Sequence, residues 1–101
     1  MSIEAVFIFI APEADPAVHT VVVETPIVRL RVVGVKTYAE AATAAVAAVE
    51  GGVTAIELCA GFGNQGVATI ARAVGARARV GVVRFDPHPG LGFESGDTVF
   101  A

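Results

Sequence analysis

The chain has 101 residues, 54% of them hydrophobic and 17% charged, with a formal net charge of −3. That length suits one domain, residues 1–101, and the apolar fraction argues against disorder. An acidic balance without a basic cluster makes nucleic acid and anionic membranes poor partners.

The start, MSIEAVFIFIAPEAD, has an acidic residue before a short apolar run and no basic region, so it reads as a buried strand rather than a leader. No apolar run reaches the eighteen or more residues of a membrane span. The single cysteine, Cys59, excludes an internal disulfide and points to a cytoplasmic setting. So oily a small chain has more apolar side chains than one modest core can hide, and self-association into a homo-oligomer is the expected outlet.

Residues 3–11, IEAVFIFIA, form a nearly continuous apolar run, as a strand covered on both faces would. Asp15 and Pro16 then suit an N-cap and a first helical position. A short helix carrying Val18, Val21 and Val22 on one face is expected, ended by Pro26, although the β-branched run Val21–Val23 opposes it. Residues 27–35, IVRLRVVGV, alternate Val28, Leu30 and Val32 with Arg29 and Arg31, as an edge strand with one wet face would.

Thr37 and Glu40 make a capping box, so a helix starts at Tyr38 and runs through an alanine-rich stretch to Gly51. Residues 53–60, VTAIELCA, are a third strand. After a glycine loop, NQGVATIARAVG is a helix with Asn64 near its N-cap and Val67, Ile70, Ala71 and Val74 as its buried stripe. RVGVVRF, 79–85, is a fourth strand. The tail from Asp86 to Ala101 holds two prolines and three glycines in sixteen residues. It reads as irregular, with Phe93, Val99 and Phe100 available to dock on a neighbour.

Strands alternating with helices indicate βαβ units. The expected fold is α/β, a four-stranded mainly parallel sheet in the flavodoxin-like order 2-1-3-4, with helices on its faces and an irregular tail. Ligands collect at the carboxyl ends of such strands, at the switch in strand order. Four segments reach that edge: residues 11–13, 34–36, 59–66 and 84–90.

Gly61, Gly63 and Gly66 spell G-x-G-x-x-G. Removing Cβ atoms permits a sharp turn, positive φ and close backbone approach, and the free N–H groups of the next helix favour an anion. A dinucleotide reading expects this motif after the first strand, with an acid about twenty residues on. Here it follows the third. Turn chemistry alone comes first, a small-anion site formed by Gly61, Gly63, Asn64 and Gly66 second, a nucleotide site last.

Cys59, at a strand end before a helix, occupies a position that can activate a thiol, but Gln65 stands where a phosphatase loop needs arginine. A buried apolar thiol is the plainer reading. Glu57 lies in an otherwise apolar strand, so it is paired, protonated or at an interface; Lys36 or an arginine could pair with it. In RFDPHPG, an extended chain projects Arg84, Asp86 and His88 to one side. Arg84 could clamp an anion while Asp86 orients His88 for proton transfer. A salt-bridged, proline-stiffened turn is the alternative. His19 reads as a surface residue, and two distant histidines with one cysteine give no metal spacing.

The blocks FIFIAPEADP, VVGVK-YAEA, AIELC-GFGN-GVA and VGVVRFD-HPG together resemble a family of small single-domain bacterial and archaeal proteins catalogued as a domain of unknown function. The resemblance covers nearly the whole chain and implies an α/β fold. It carries over no catalytic residues and no cofactor.

Three functions follow as expectations. The first is a small enzyme acting on an anionic metabolite, with His88, Asp86, Glu57 and Cys59 as catalytic candidates and the glycine loop with Arg84 as the anion site. The second is a non-catalytic ligand-binding or sensory module using the same edge. The third is a structural self-assembly protein. No cofactor or metal is required by the sequence.

Overall fold

Five short segments are extended in the computed structural model, which describes residues 2–101. They are β1 (Ile3–Ile10), β2 (Thr20–Glu24), β3 (Val28–Val35), β4 (Ala55–Leu58) and β5 (Arg79–Val82), in one sheet of order β2-β3-β1-β4-β5. β1 runs parallel to β3 and β4, and β4 parallel to β5; β2 is antiparallel to β3. Two crossovers are helical, α1 (Tyr38–Glu50) between β3 and β4 and α2 (Asn64–Val74) between β4 and β5. A single turn, α3 (Gly96–Val99), lies in the tail. The fold is mixed α/β with a mostly parallel sheet.

The sheet thus has five strands rather than four. The four expected strands lie in the order 2-1-3-4, as β3-β1-β4-β5, and β2 is added outside them, so β3 is not an edge. The helix expected after Asp15 is replaced by one turn and a strand. Asp15 does cap that turn: its Oδ1 accepts the Ala17 N–H at 2.9 Å, and the His19 N–H reaches its carbonyl at 2.7 Å. The turn goes no further because Val21, Val22 and Val23 are β-branched and favour extended backbone. Pairing with β3 satisfies their N–H and C=O groups.

Both crossovers step the same way across the sheet, and right-handed connections place both helices on one face. There Val6, Ile8, Ile10, Val33, Val35, Ile56 and Leu58 form the core with helix residues. Ala41, Ala45 and Ala48 are the buried stripe of α1. Their small size lets the helix sit close to the strands.

No helix covers the other face, so the expectations of helices on both faces and of a first strand covered twice are corrected. The register lays that bare face out in rows. One row is Val21, Val32, Phe7, Glu57, Gly81; the next is Val23, Leu30, Ala5, Ala55, Arg79. Phe9 lies over Gly34, where a Cβ would fall 2.5 Å from its ring. The alternation in β3 therefore aims Val28, Leu30 and Val32 at the face that has no second layer. Val21 is 58% exposed and Val23 50%. Among the described residues no helix is long and apolar enough to cross a membrane.

Candidate functional site

The parallel strands end together at one edge, and the loop after β4 leads from there into α2. The glycines of that loop do not adopt positive φ; Gly63, the N-cap residue, is extended at φ −77°. What they supply is close approach. A Cβ at Gly66 would lie 2.5 Å from the Tyr38 ring, and one at Gly63 would overlap the carboxyl group of Asp97.

Asp97 occupies the place that the sequence suggested for an anion. Its Oδ1 and Oδ2 accept the Gln65 N–H at 3.0 and 2.9 Å, and Oδ1 accepts the Gly66 N–H at 3.2 Å. The Tyr38 hydroxyl donates to the same Oδ1 at 2.9 Å and accepts the Gly63 N–H at 3.0 Å. The first turn of α2 has no acidic residue and Gly63 has no side chain to cap it, so Asp97, brought in by the tail, is its cap. The helix dipole and donated N–H groups favour the charge there.

The electrostatics agree. Burial pushes the Asp97 carboxyl up, but donation from Gln65, Tyr38 and Gly66 and the positive charge of Arg84 outweigh it, so it lies below the ordinary range. Tyr38 is pushed up to about 12, first by burial and then by the neighbouring Asp97 carboxylate, against the lowering effect of the Gly63 N–H. The Tyr38 ring also stacks on Phe62, with centroids 5.7 Å apart.

Arg84 joins this cluster by its backbone contact: its Nη1 donates to the Phe62 carbonyl, while Nη2 lies 3.4 Å from Asp86 Oδ2. Asp86 is thus engaged with Arg84 and makes no hydrogen bond to His88. The His88 Nδ1 accepts the Gly90 N–H at 2.8 Å and its ring meets the edge of Phe85.

The remaining candidates fall apart in space. Cys59 is half-buried under the loop, its Sγ accepting the N–H groups of Ile10 at 3.4 Å and Gly61 at 3.3 Å. Asn64 is exposed and makes no capping bond. Glu57 is exposed on the bare face, away from this edge, and makes no ion pair among the described residues; Lys36 is held by Glu40 at 3.2 Å and Arg29 by Glu24 at 3.0 Å. His19 is exposed, its Nδ1 accepting the Asp15 N–H at 2.9 Å. Among the described residues no group of three or more His, Cys, Asp or Glu could hold a metal ion.

Two residues central to this edge, Tyr38 and Asp97, were not candidates from the sequence. The available signal was an omission: Gly63-Asn64-Gln65-Gly66 opens a helix with no acid in its first turn, which leaves those N–H groups in need of water, Asn64 or an acceptor from elsewhere. The tail meets that need while packing on its own chain, since Phe100 is 5% exposed in the core; Phe93 and Val99 stay exposed.

A family model described as a family of unknown function (DUF6506) matches residues 3–98, and the chain belongs to that family. Searches of the curated proteins and of the solved structures find no match.

Proposed function

We propose that the chain is a self-associating subunit, an assembly or interaction protein whose working surface is the bare face of its sheet. One observation carries this reading: a continuous apolar face, from Val21 and Val23 through Leu30, Val32 and Phe7 to Ala55, has no covering layer. An apolar sheet face is normally packed against a second layer. Five strands ~4.8 Å apart and about six residues of rise at ~3.3 Å give a face of roughly 500 Å² in projection. Side-chain relief adds to that, which brings it near the ~800 Å² of accessible surface that each partner contributes to a standard interface.

A second copy fits because the face is mainly aliphatic and nearly neutral. Its rows carry Glu57 and Arg79, of opposite sign, while the net charge of −3 resides elsewhere. The small-enzyme and ligand-binding readings have less support. The Gly63, Gln65 and Gly66 N–H groups that would hold an anion already donate to Tyr38 and Asp97.

The test is the mass in solution. Sedimentation at micromolar concentration should give a dimer. Val21→Glu and Val23→Glu, at exposed positions of β2, should weaken it at least ~10-fold, since each removes apolar burial and desolvates a charge. Their thermal unfolding should stay close to the parent's at concentrations where both are monomeric. A monomeric parent at high micromolar concentration, or a dimer indifferent to both substitutions, would sink the reading.

A further inference from the structure

Glu57 is the one carboxylate in the rows of the bare face, set in the middle row between Phe7 and Gly81. Resting on the self-association reading above, we infer that proton uptake by Glu57 strengthens the packing of two copies face to face, so that association tightens in mild acid. The register decides what the carboxylate meets. Two sheets packed about a twofold axis through the middle of β1 have two limiting arrangements. With the axis along the strands, β4 lies over β3 of the second copy and Glu57 faces Val32. With the axis across the strands, β4 lies over its own counterpart and Glu57 faces a second Glu57. In neither does it lie opposite Arg79, which meets β2 or β5 of the second copy near the rim.

The other groups around it do not offset the burial of charge. Arg79 of the same chain is diagonal to Glu57, one strand and two residues away, and makes no ion pair with it. Phe7 beside it is apolar, and Gly81 has no side chain. His19 lies on the corner of the face, beside Phe9. Gaining a proton, it adds like charge to both copies and works against association. A carboxylate taken out of water beside apolar groups, or beside another carboxylate, binds a proton more readily, so association and proton uptake are linked.

The measurement is the dimer dissociation constant by sedimentation at pH 7.5, 6 and 5, for the parent chain and Glu57→Gln. The parent's Kd should fall at least about fivefold from pH 7.5 to 5. Glu57→Gln should bind at pH 7.5 more tightly than the parent and lose the acid strengthening, any residual slope being that of His19. A dimer whose Kd is constant or rises in acid, with Glu57→Gln weaker than the parent, would overturn this inference and leave the sheet-face reading standing. A chain that stays monomeric at every pH would remove both.

Discussion

The two long helices begin in opposite ways. α1 is capped from within four residues: the Thr37 Oγ1 accepts the Glu40 N–H at 3.1 Å, and Glu40 Oε1 accepts the Lys36 N–H at 3.0 Å. α2 has no local cap and takes Asp97 from 32 residues downstream. A local cap fixes where a helix starts and does little else. A distant cap also fixes a second piece of chain. Closing a loop of that length costs roughly 3 kcal/mol, so the tail needs more than one anchor. Its anchors include the Asp97 carboxylate, the buried Phe100 and Leu91 against the core. The difference explains why a segment with so many glycines and prolines is held against the body at all.

Asp97→Ala should therefore be the most damaging change at either helix start. It leaves two backbone N–H groups and the Tyr38 hydroxyl without an acceptor. Hydrogen bonds to a charged group contribute ~1.5–3 kcal/mol each and do not add fully, so a loss of about 2–4 kcal/mol is expected in urea unfolding. Amide exchange and proteolysis should rise first in residues 86–101. A loss no greater than that of a local cap, with the tail still protected, would erase the distinction between the two starts. The acid limb checks the same group. The Asp97 carboxyl is held below its unfolded value of ~3.9, so its contribution is complete above that pH and is lost as pH falls through the lower folded value. Asp97→Asn should remove that part of the acid slope, leaving the part due to Glu40, which is also lowered.

Tyr38→Phe comes next. It keeps the stack on Phe62 but takes the acceptor from Gly63 and a donor from Asp97, for about 1–2 kcal/mol. Tyr38 titrates at about 12 in the fold, against ~10 free. Its contribution is thus present below pH ~10 and lost as pH rises through the folded value, and the Phe variant should lack that alkaline loss. An alkaline limb identical in both proteins would show that Tyr38 is not the group responsible.

What the sequence made legible divides along the same line between local and distant. The start of α1 at Tyr38 and its stop at Gly51 follow from residues within a turn of each end, and the order of the four parallel strands follows from the apolar character of the first and third, which places them in the middle. Asp15 and Pro16 gave a true local signal that was extended too far: they form one turn, and three consecutive valines then set the chain in β2. The alternation of β3 was legible but not its sense, because periodicity says that Val28, Leu30 and Val32 share a face and not which face the helices cover. Asp97 was illegible for a different reason. Its role depends on the tail folding back to α2, and no spacing rule connects residues so far apart.

The smallest expected effect tests the local side of the comparison. Thr37→Ala removes the side-chain acceptor of the Glu40 N–H at the start of α1, which costs about 1 kcal/mol in helices of this kind and lowers Tm by roughly 4–8 °C in a chain of this size. Glu40 can still reach the Lys36 N–H, and the Lys36 ammonium stays 3.2 Å from its other oxygen, so the helix frays by a turn rather than unravels. The tail should be untouched, with exchange in residues 86–101 unchanged from the parent. If Thr37→Ala instead loosens the tail as Asp97→Ala does, Tyr38 at the first position of α1 is the link, because fraying there withdraws the hydroxyl that joins Gly63 to Asp97. The double variant Thr37→Ala/Tyr38→Phe separates the cases. Additive losses mean that the two helix starts are independent, and a combined loss near that of Tyr38→Phe alone means that the local cap acts through the distant one.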